Sequence, residues 1–245
     1  MLTAAGRDFE PARDLPGVAA FVARSSSTTR FVNEYDDDGT RRQVMSARAD
    51  ALDLNVLPDE WRDPDVLFLA PVAGEIPGRT ALAFAAEVVG AGAQGWLRAT
   101  DARGAVTPSD WSDPAADLAG VHFLFLSQHD LRDPGGCAEL LRYVPMIAMT
   151  RGWEGLTLLT RQGTHDVPAL PRTEVDPTGA GDVFAAACLV RYQETGDPLE
   201  AAAFGACAAS CVVEGVGAST LGDRAEVEKR VLQRLRLVED GEWEE

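Results

Sequence analysis

Val66-Leu67-Phe68-Leu69-Ala70 is an unbroken apolar run. A strand with one face in water alternates apolar and polar side chains, so this run needs cover on both faces. That is the environment of a parallel strand with helices above and below it. Residues 121–126 read as a second buried strand, and 144–150 and 156–160 as further ones. Helical patterns lie over 78–90 and near 136–142, with a short strand at 95–98, and three helices close the chain over 180–194, 198–213 and 224–238. Such alternation of strands and helices predicts a three-layer α/β sandwich on a mostly parallel sheet, built as one domain over 1–245. The N-terminal part differs. A strand is expected at 18–23. Over 28–35, Thr29, Phe31, Asn33 and Tyr35 share one face and Arg30, Val32 and Glu34 the other. Asp36-Asp37-Asp38-Gly39 reads as a hairpin turn, with a return strand over 40–48, so a β ribbon precedes the α/β body. The acidic residues from 239 onward are expected to fray.

Chemistry concentrates at Val175-Asp176-Pro177-Thr178-Gly179-Ala180-Gly181-Asp182-Val183-Phe184. Gly179, Ala180 and Gly181 fall where a helix begins, so unpaired N–H groups and the positive end of the helix dipole meet side chains that are tiny or absent. An anion can approach such a backbone closely. Asp182 in the same turn would repel a bound anion, but it suits the role of proton acceptor beside a phosphoryl group in transit. The same residues also suit an ordinary helix cap.

Bulk properties narrow the classes of function. The net charge is −17, from 22 basic and 39 acidic residues, which argues against nucleic-acid and anionic membrane partners. Lys229 is the only lysine. No apolar run reaches membrane-spanning length, and the first residues do not form a signal peptide. Cys137, Cys188, Cys207 and Cys211 lack metal-ligand spacing, Cys207 and Cys211 read as small core residues of a helix, and a reducing cytoplasm fits. His122, His129 and His165 follow no metal spacing.

Asp176-Pro177-Thr178-Gly179-Ala180-Gly181-Asp182-Val183-Phe184 resembles the C-terminal signature of the ribokinase, or PfkB, family of carbohydrate and nucleoside kinases. The resemblance implies a ribokinase-like fold with a small β lid over residues 18–50. It implies that Asp182 is the catalytic base and that Gly179, Ala180 and Gly181 form the anion hole for the migrating phosphoryl group. It further implies that Asp176, with Thr178 nearby, helps hold a monovalent cation such as K+. Thr150-Arg151-Gly152-Trp153-Glu154-Gly155 reads as a plain glycine hairpin turn. It is also similar to the family's T-x-G-x-x-G turn beside the nucleotide phosphates, which would assign Thr150, Gly152 and Gly155 to ATP. Ser127-Gln128-His129-Asp130 occupies the place of the family's N-x-x-E motif, with Asp130 as the acid that would steer Mg2+ through its water shell. Asp130 equally suits an ordinary loop acid. The loop from Glu214 to Gly217 is a helix C-cap by its glycines, and by resemblance packs against adenine and supplies carbonyls to the cation. The lid strands, Ala70-Pro71-Val72-Ala73-Gly74-Glu75-Ile76 and Gln94-Gly95-Trp96-Leu97-Arg98 resemble the branch related to myo-inositol kinases.

Family members usually begin with a strand and a Gly-Gly acceptor loop that have no counterpart here. Half of the acceptor pocket and one strand of the body are therefore expected to be absent, leaving a sheet edge exposed. Three readings follow. The first is an ATP-dependent kinase acting on a hydroxyl of a small sugar, polyol or related metabolite. The second is a nucleotide-binding or scaffolding relative without phosphoryl transfer. The third is a reading frame started too late. Exposed lid edges suit pairing in a homodimer.

Overall fold

The computed structural model describes residues 1–35 and 41–239. The expected turn at 36–39 and the acidic tail from 240 onward lie outside the described residues. The N-terminal part holds β1 (Leu2–Ala5), the single helical turn α1 (Pro11–Asp14), β2 (Phe21–Arg24), β3 (Arg30–Tyr35) and β4 (Arg41–Ala47). Next come β5 (Val66–Leu69), β6 (Val88–Gly92), β7 (Arg98–Thr100), β8 (Val106–Pro108) and the short α2 (Pro114–Asp117). Then follow β9 (Phe123–Ser127), β10 (Met146–Thr150), β11 (Leu156–Thr160) and β12 (Gly163–Val167). The chain closes with α3 (Ala180–Thr195), α4 (Pro198–Val212) and α5 (Arg224–Glu239).

A six-stranded sheet runs β12-β11-β10-β9-β6-β5. The pairings from β5 through β6 and β9 to β10 are parallel, and β11 and β12 are added antiparallel. The fold is an α/β architecture on a mostly parallel sheet, as expected. β5 is an edge strand, and β1 and β2 pair parallel in a separate two-stranded sheet.

Both faces of the sheet are covered, which explains the unbroken apolar runs. Along β9, Phe123 and Phe125 face α3 and α4, while Leu124 and Leu126 enter the opposite core with Ile147, Leu118 and Val144. Helix α3 lies close on the sheet: a methyl on Gly90 would meet Leu189 Cδ1 at 2.5 Å. Helix α4 lies equally close on α3, since a methyl on Gly205 would meet the Phe184 carbonyl at 2.7 Å. The small-residue run of α4 is thus a packing surface.

Three local expectations are corrected. Residues 78–90 do not form a helix: a 3-10 turn spans Thr80–Ala83, and β6 begins at Val88. The apolar spacing there fits a helix, but Val88 and Val89 are β-branched and complete the sheet between β5 and β9, and that pairing overrides the local pattern. The helix expected near 136–142 is a 3-10 segment over Pro134–Arg142. The strand expected at 95–98 begins at Arg98, because Trp96 and Leu97 close a turn onto Ala93 and Gln94.

Candidate functional site

The direction of α3 fixes the site. Tyr192, near its C-terminus, packs edge-on against Phe123 at the start of β9, with ring centres 5.9 Å apart. Phe184, near its N-terminus, packs on Phe125 farther along the same strand, at 5.7 Å. Helix α3 therefore runs antiparallel to β9, and its N-terminus lies at the carboxyl ends of the parallel strands. Ser127 and Thr150, register partners at the ends of β9 and β10, share that edge, which is where open α/β sheets place ligands.

No side chain caps α3. Gly179 sits at the N-cap with φ 85°, a left-handed conformation that suits glycine. Ala180 N–H donates to Pro177 O, whereas the N–H groups of Gly181 and Asp182 find no acceptor among the described residues. Gly181 is the informative position. Its φ is not positive, and a methyl added there would meet nothing within 4 Å. Neither backbone nor packing asks for glycine, which costs a helix about 0.5–1 kcal/mol relative to alanine. What glycine supplies at this position is open space over unpaired N–H groups.

Asp182 follows directly. It reaches solvent, yet the surrounding protein strips part of its hydration and pushes its carboxyl above the usual carboxylate range, while the charge of Arg98 opposes the rise.

Asp176 links two loops. Its Oδ1 accepts from Thr178 N–H at 2.9 Å and its Oδ2 from Gly217 N–H at 3.2 Å, across 41 residues of sequence. The Thr178 hydroxyl first, and then the Thr178 and Gly217 N–H groups, hold its carboxyl below the usual range. The signature loop and the loop from Glu214 to Gly217 are thereby joined, with Thr178 part of the joint. The Glu214 side chain faces away from this joint, toward α5: it binds Arg230 at 2.6 Å and approaches Arg172 at 3.6 Å. Replacing Asp176 by alanine is expected to speed amide exchange at Thr178 and Gly217 with little change in the global unfolding midpoint. Unchanged exchange at both amides would show that the bridge holds nothing in place.

Asp130 folds back on its own turn. Its Oδ2 accepts from Ser127 N–H at 2.8 Å, while its Oδ1 has only a long contact, 3.5 Å, with Gln94 Nε2. One oxygen is therefore nearly free for a hydrated cation. Among the described residues no three His, Cys, Asp or Glu side chains gather as a metal cluster.

In the turn after β10, Thr150 Oγ1 donates to Leu126 O at 3.4 Å. Arg151 ties the turn to Thr157 and to Asp166, the latter at 2.9 Å. The two glycines differ. Gly155 is demanded by packing, since a methyl there would lie 2.2 Å from Val167 O, whereas Gly152 borders open space.

Sequence reasoning missed the Arg98 contribution to Asp182. The only trace in the sequence was the Gln94-Gly95-Trp96-Leu97-Arg98 stretch. A methyl on Gly95 would lie 2.3 Å from the Pro71 backbone, so this turn is pressed onto the loop after β5.

Residues 105–224 match the family described as pfkB family carbohydrate kinase. A nucleoside kinase of Methanocaldococcus jannaschii is 30% identical over 106 residues, a stretch covering 41% of this chain and 35% of that protein. The structure of a Thermotoga maritima ribokinase is similar with a TM-score of 0.71 and 24% identity, over 94% of this chain and 80% of that one. A pyrophosphate-dependent kinase in the ribokinase family, complexed with a pyrophosphate analog and myo-inositol, gives a TM-score of 0.72 at 20% identity, over 93% and 84% of the two chains.

Proposed function

We infer that this chain, a member of the pfkB carbohydrate kinase family through residues 105–224, is a small-molecule kinase that transfers a phosphoryl group from ATP to a hydroxyl of a sugar, polyol or related metabolite. The observation that carries the reading is Gly181, a glycine in the first turn of α3 that neither backbone nor packing requires, opening the N-terminus directly beside Asp182. In this reading Asp182 takes the proton from the acceptor hydroxyl. The freed oxygen bonds to the terminal phosphorus of ATP, and the bond from that phosphorus to the bridging oxygen breaks, leaving ADP. The N–H groups of Gly179 and Gly181 stabilise charge on the phosphoryl oxygens as it moves, while Ala180, expected to be a third donor, has its N–H engaged by Pro177 O and contributes only its small side chain to the opening. Thr150, Gly152, Gly155 and the loop from Glu214 to Gly217 form the nucleotide side, with Glu214 acting through its anchor on Arg230.

The residues present suit Mg2+ bound mainly by the nucleotide phosphates, with Asp130 reaching it through water, and Mg2+ would neutralise phosphate charge. Asp176 and Thr178 border the place where K+ would sit. The β3–β4 ribbon within residues 18–50 is the lid over the acceptor, in a single domain over 1–245. Val32 is exposed on that ribbon, which suits contact with a second copy of the chain. All four cysteines are buried free thiols, in keeping with a cytoplasmic enzyme. Among the described residues no helix is long and apolar enough to cross a membrane.

The base must be ionised to accept a proton, and its carboxyl is raised. Acceptor-dependent turnover should therefore rise with pH through a limb lying above the ordinary aspartate range. A turnover profile flat across that limb would remove Asp182 from the role of base.

A further inference from the structure

A cavity of about 580 Å3 lies at the end of the sheet opposite the candidate site. Its position follows from the strand order. Glu87 precedes β6, His122 precedes β9, Pro145 precedes β10, and Arg161 follows the antiparallel β11. These strands are neighbours, so the residues form one row along the amino ends of the parallel strands. His122 and Ser127 bound β9, so about 16 Å separates this row from the catalytic edge at the usual rise of a strand. Tyr192, near the C-terminus of α3, and Pro198, which opens α4, line the cavity from the helix side. A volume of this size suits a small ligand.

The lining has a definite chemistry. Val89 N–H donates to His122 Nδ1 at 3.0 Å, so the ring carries its proton on Nε2. Glu87 Oε2 accepts from Gln193 Nε2 at 3.2 Å, and its other oxygen has no partner among the described residues. Arg161 has no hydrogen-bond or ion-pair partner among the described residues. In a chain of net charge −17 carboxylates are not scarce, and Arg151, Arg191, Arg224 and Arg230 are each ion-paired. Glu87 and Arg161 are not paired with one another either. They come from strands three spacings apart, about 14 Å between backbones, with the cavity between them. Met146, buried in the same wall, offers an apolar surface between the two charges.

We propose that this cavity is a second ligand site, separate from the catalytic edge, for a small organic acid that carries a hydrogen-bond donor at its other end: an amino acid or a hydroxy acid. Arg161 takes the carboxylate, whose two oxygens match the planar donors of a guanidinium. Glu87 takes the ammonium or hydroxyl. The body of the ligand lies against Met146 and Pro198. The site does not depend on the kinase reading.

The test is calorimetry on the full chain with a panel of amino acids, hydroxy acids, simple carboxylates and simple amines of matched size, each with and without saturating ATP. At least one amino or hydroxy acid should bind, its affinity unchanged by ATP, and at least tenfold more tightly than the carboxylate or amine that lacks its second group. Arg161→Ala should weaken that binding at least tenfold, the usual scale for a hydrogen bond to a charged group. Glu87→Gln separates the two sources: it should weaken an ammonium ligand at least tenfold and a hydroxyl ligand by less. Both side chains are exposed, so neither variant disturbs the core. Absence of binding across the panel at millimolar concentration would overturn the proposal. So would equal binding by the parent and Arg161→Ala, or displacement of the ligand by ATP.

Discussion

Asp182→Asn is expected to fold as the parent does, to bind ATP, and to lose turnover by about 10²–10⁴-fold, the usual worth of a general base. The amide keeps the shape of the side chain and makes no new demand on packing, since Asp182 reaches solvent at the first turn of α3. It removes the group that can accept the hydroxyl proton. It also removes the titration responsible for the acid limb, so residual activity should be nearly independent of pH there. Steady-state kinetics with ATP and an acceptor in excess, beside a denaturant midpoint, separate this from unfolding. Turnover within a factor of a few of the parent would remove Asp182 from the chemistry and leave it an ordinary acid in the first turn of α3.

The second large effect is expected at Gly181, and it has two opposite signs. Gly181→Ala should stabilise the fold by up to about 1 kcal/mol, because alanine restricts the unfolded chain and favours the helix. Beyond its own turn of helix the added methyl meets nothing within 4 Å, so no strain offsets the gain. It does enter the space over the N–H groups of the first turn of α3. Displacing the phosphoryl group by about an ångström should lower turnover by on the order of 10²-fold. Stability rising while activity falls is a signature that a damaged fold cannot produce. A variant both more stable and equally active would show that no ligand uses this space.

The body of the fold was legible because its elements are bounded by chemistry that acts locally. Gly196 ends α3 in a left-handed conformation, and Asp197 with Pro198 starts α4 by capping Leu199 and Glu200 N–H groups. The buried strands were legible from their apolar runs. The segment over 78–90 misled because alanines and valines at helical spacing say nothing of the two neighbouring strands that claim Val88 and Val89. In the site, the position of Gly181 was visible in the sequence, but its freedom from packing was not, since that depends on which atoms come near. The bridge from Asp176 to Gly217 joins distant segments, and the charge of Arg98 opposes the rise of Asp182 from another such segment; no periodicity or motif carries such information.

The central claim is that this site moves a phosphoryl group onto a hydroxyl. Phosphorus NMR of the full chain, incubated with Mg2+, a donor and a panel of polyols, sugars and nucleosides, reads that event directly. ATP and pyrophosphate serve as alternative donors, since one structural neighbour is described as pyrophosphate-dependent. The account predicts a phosphate monoester signal that requires both ATP and one class of acceptor and is absent with Asp182→Asn. A chain that binds ATP yet forms no ester with any acceptor, or forms it equally well without the Asp182 carboxylate, would contradict it.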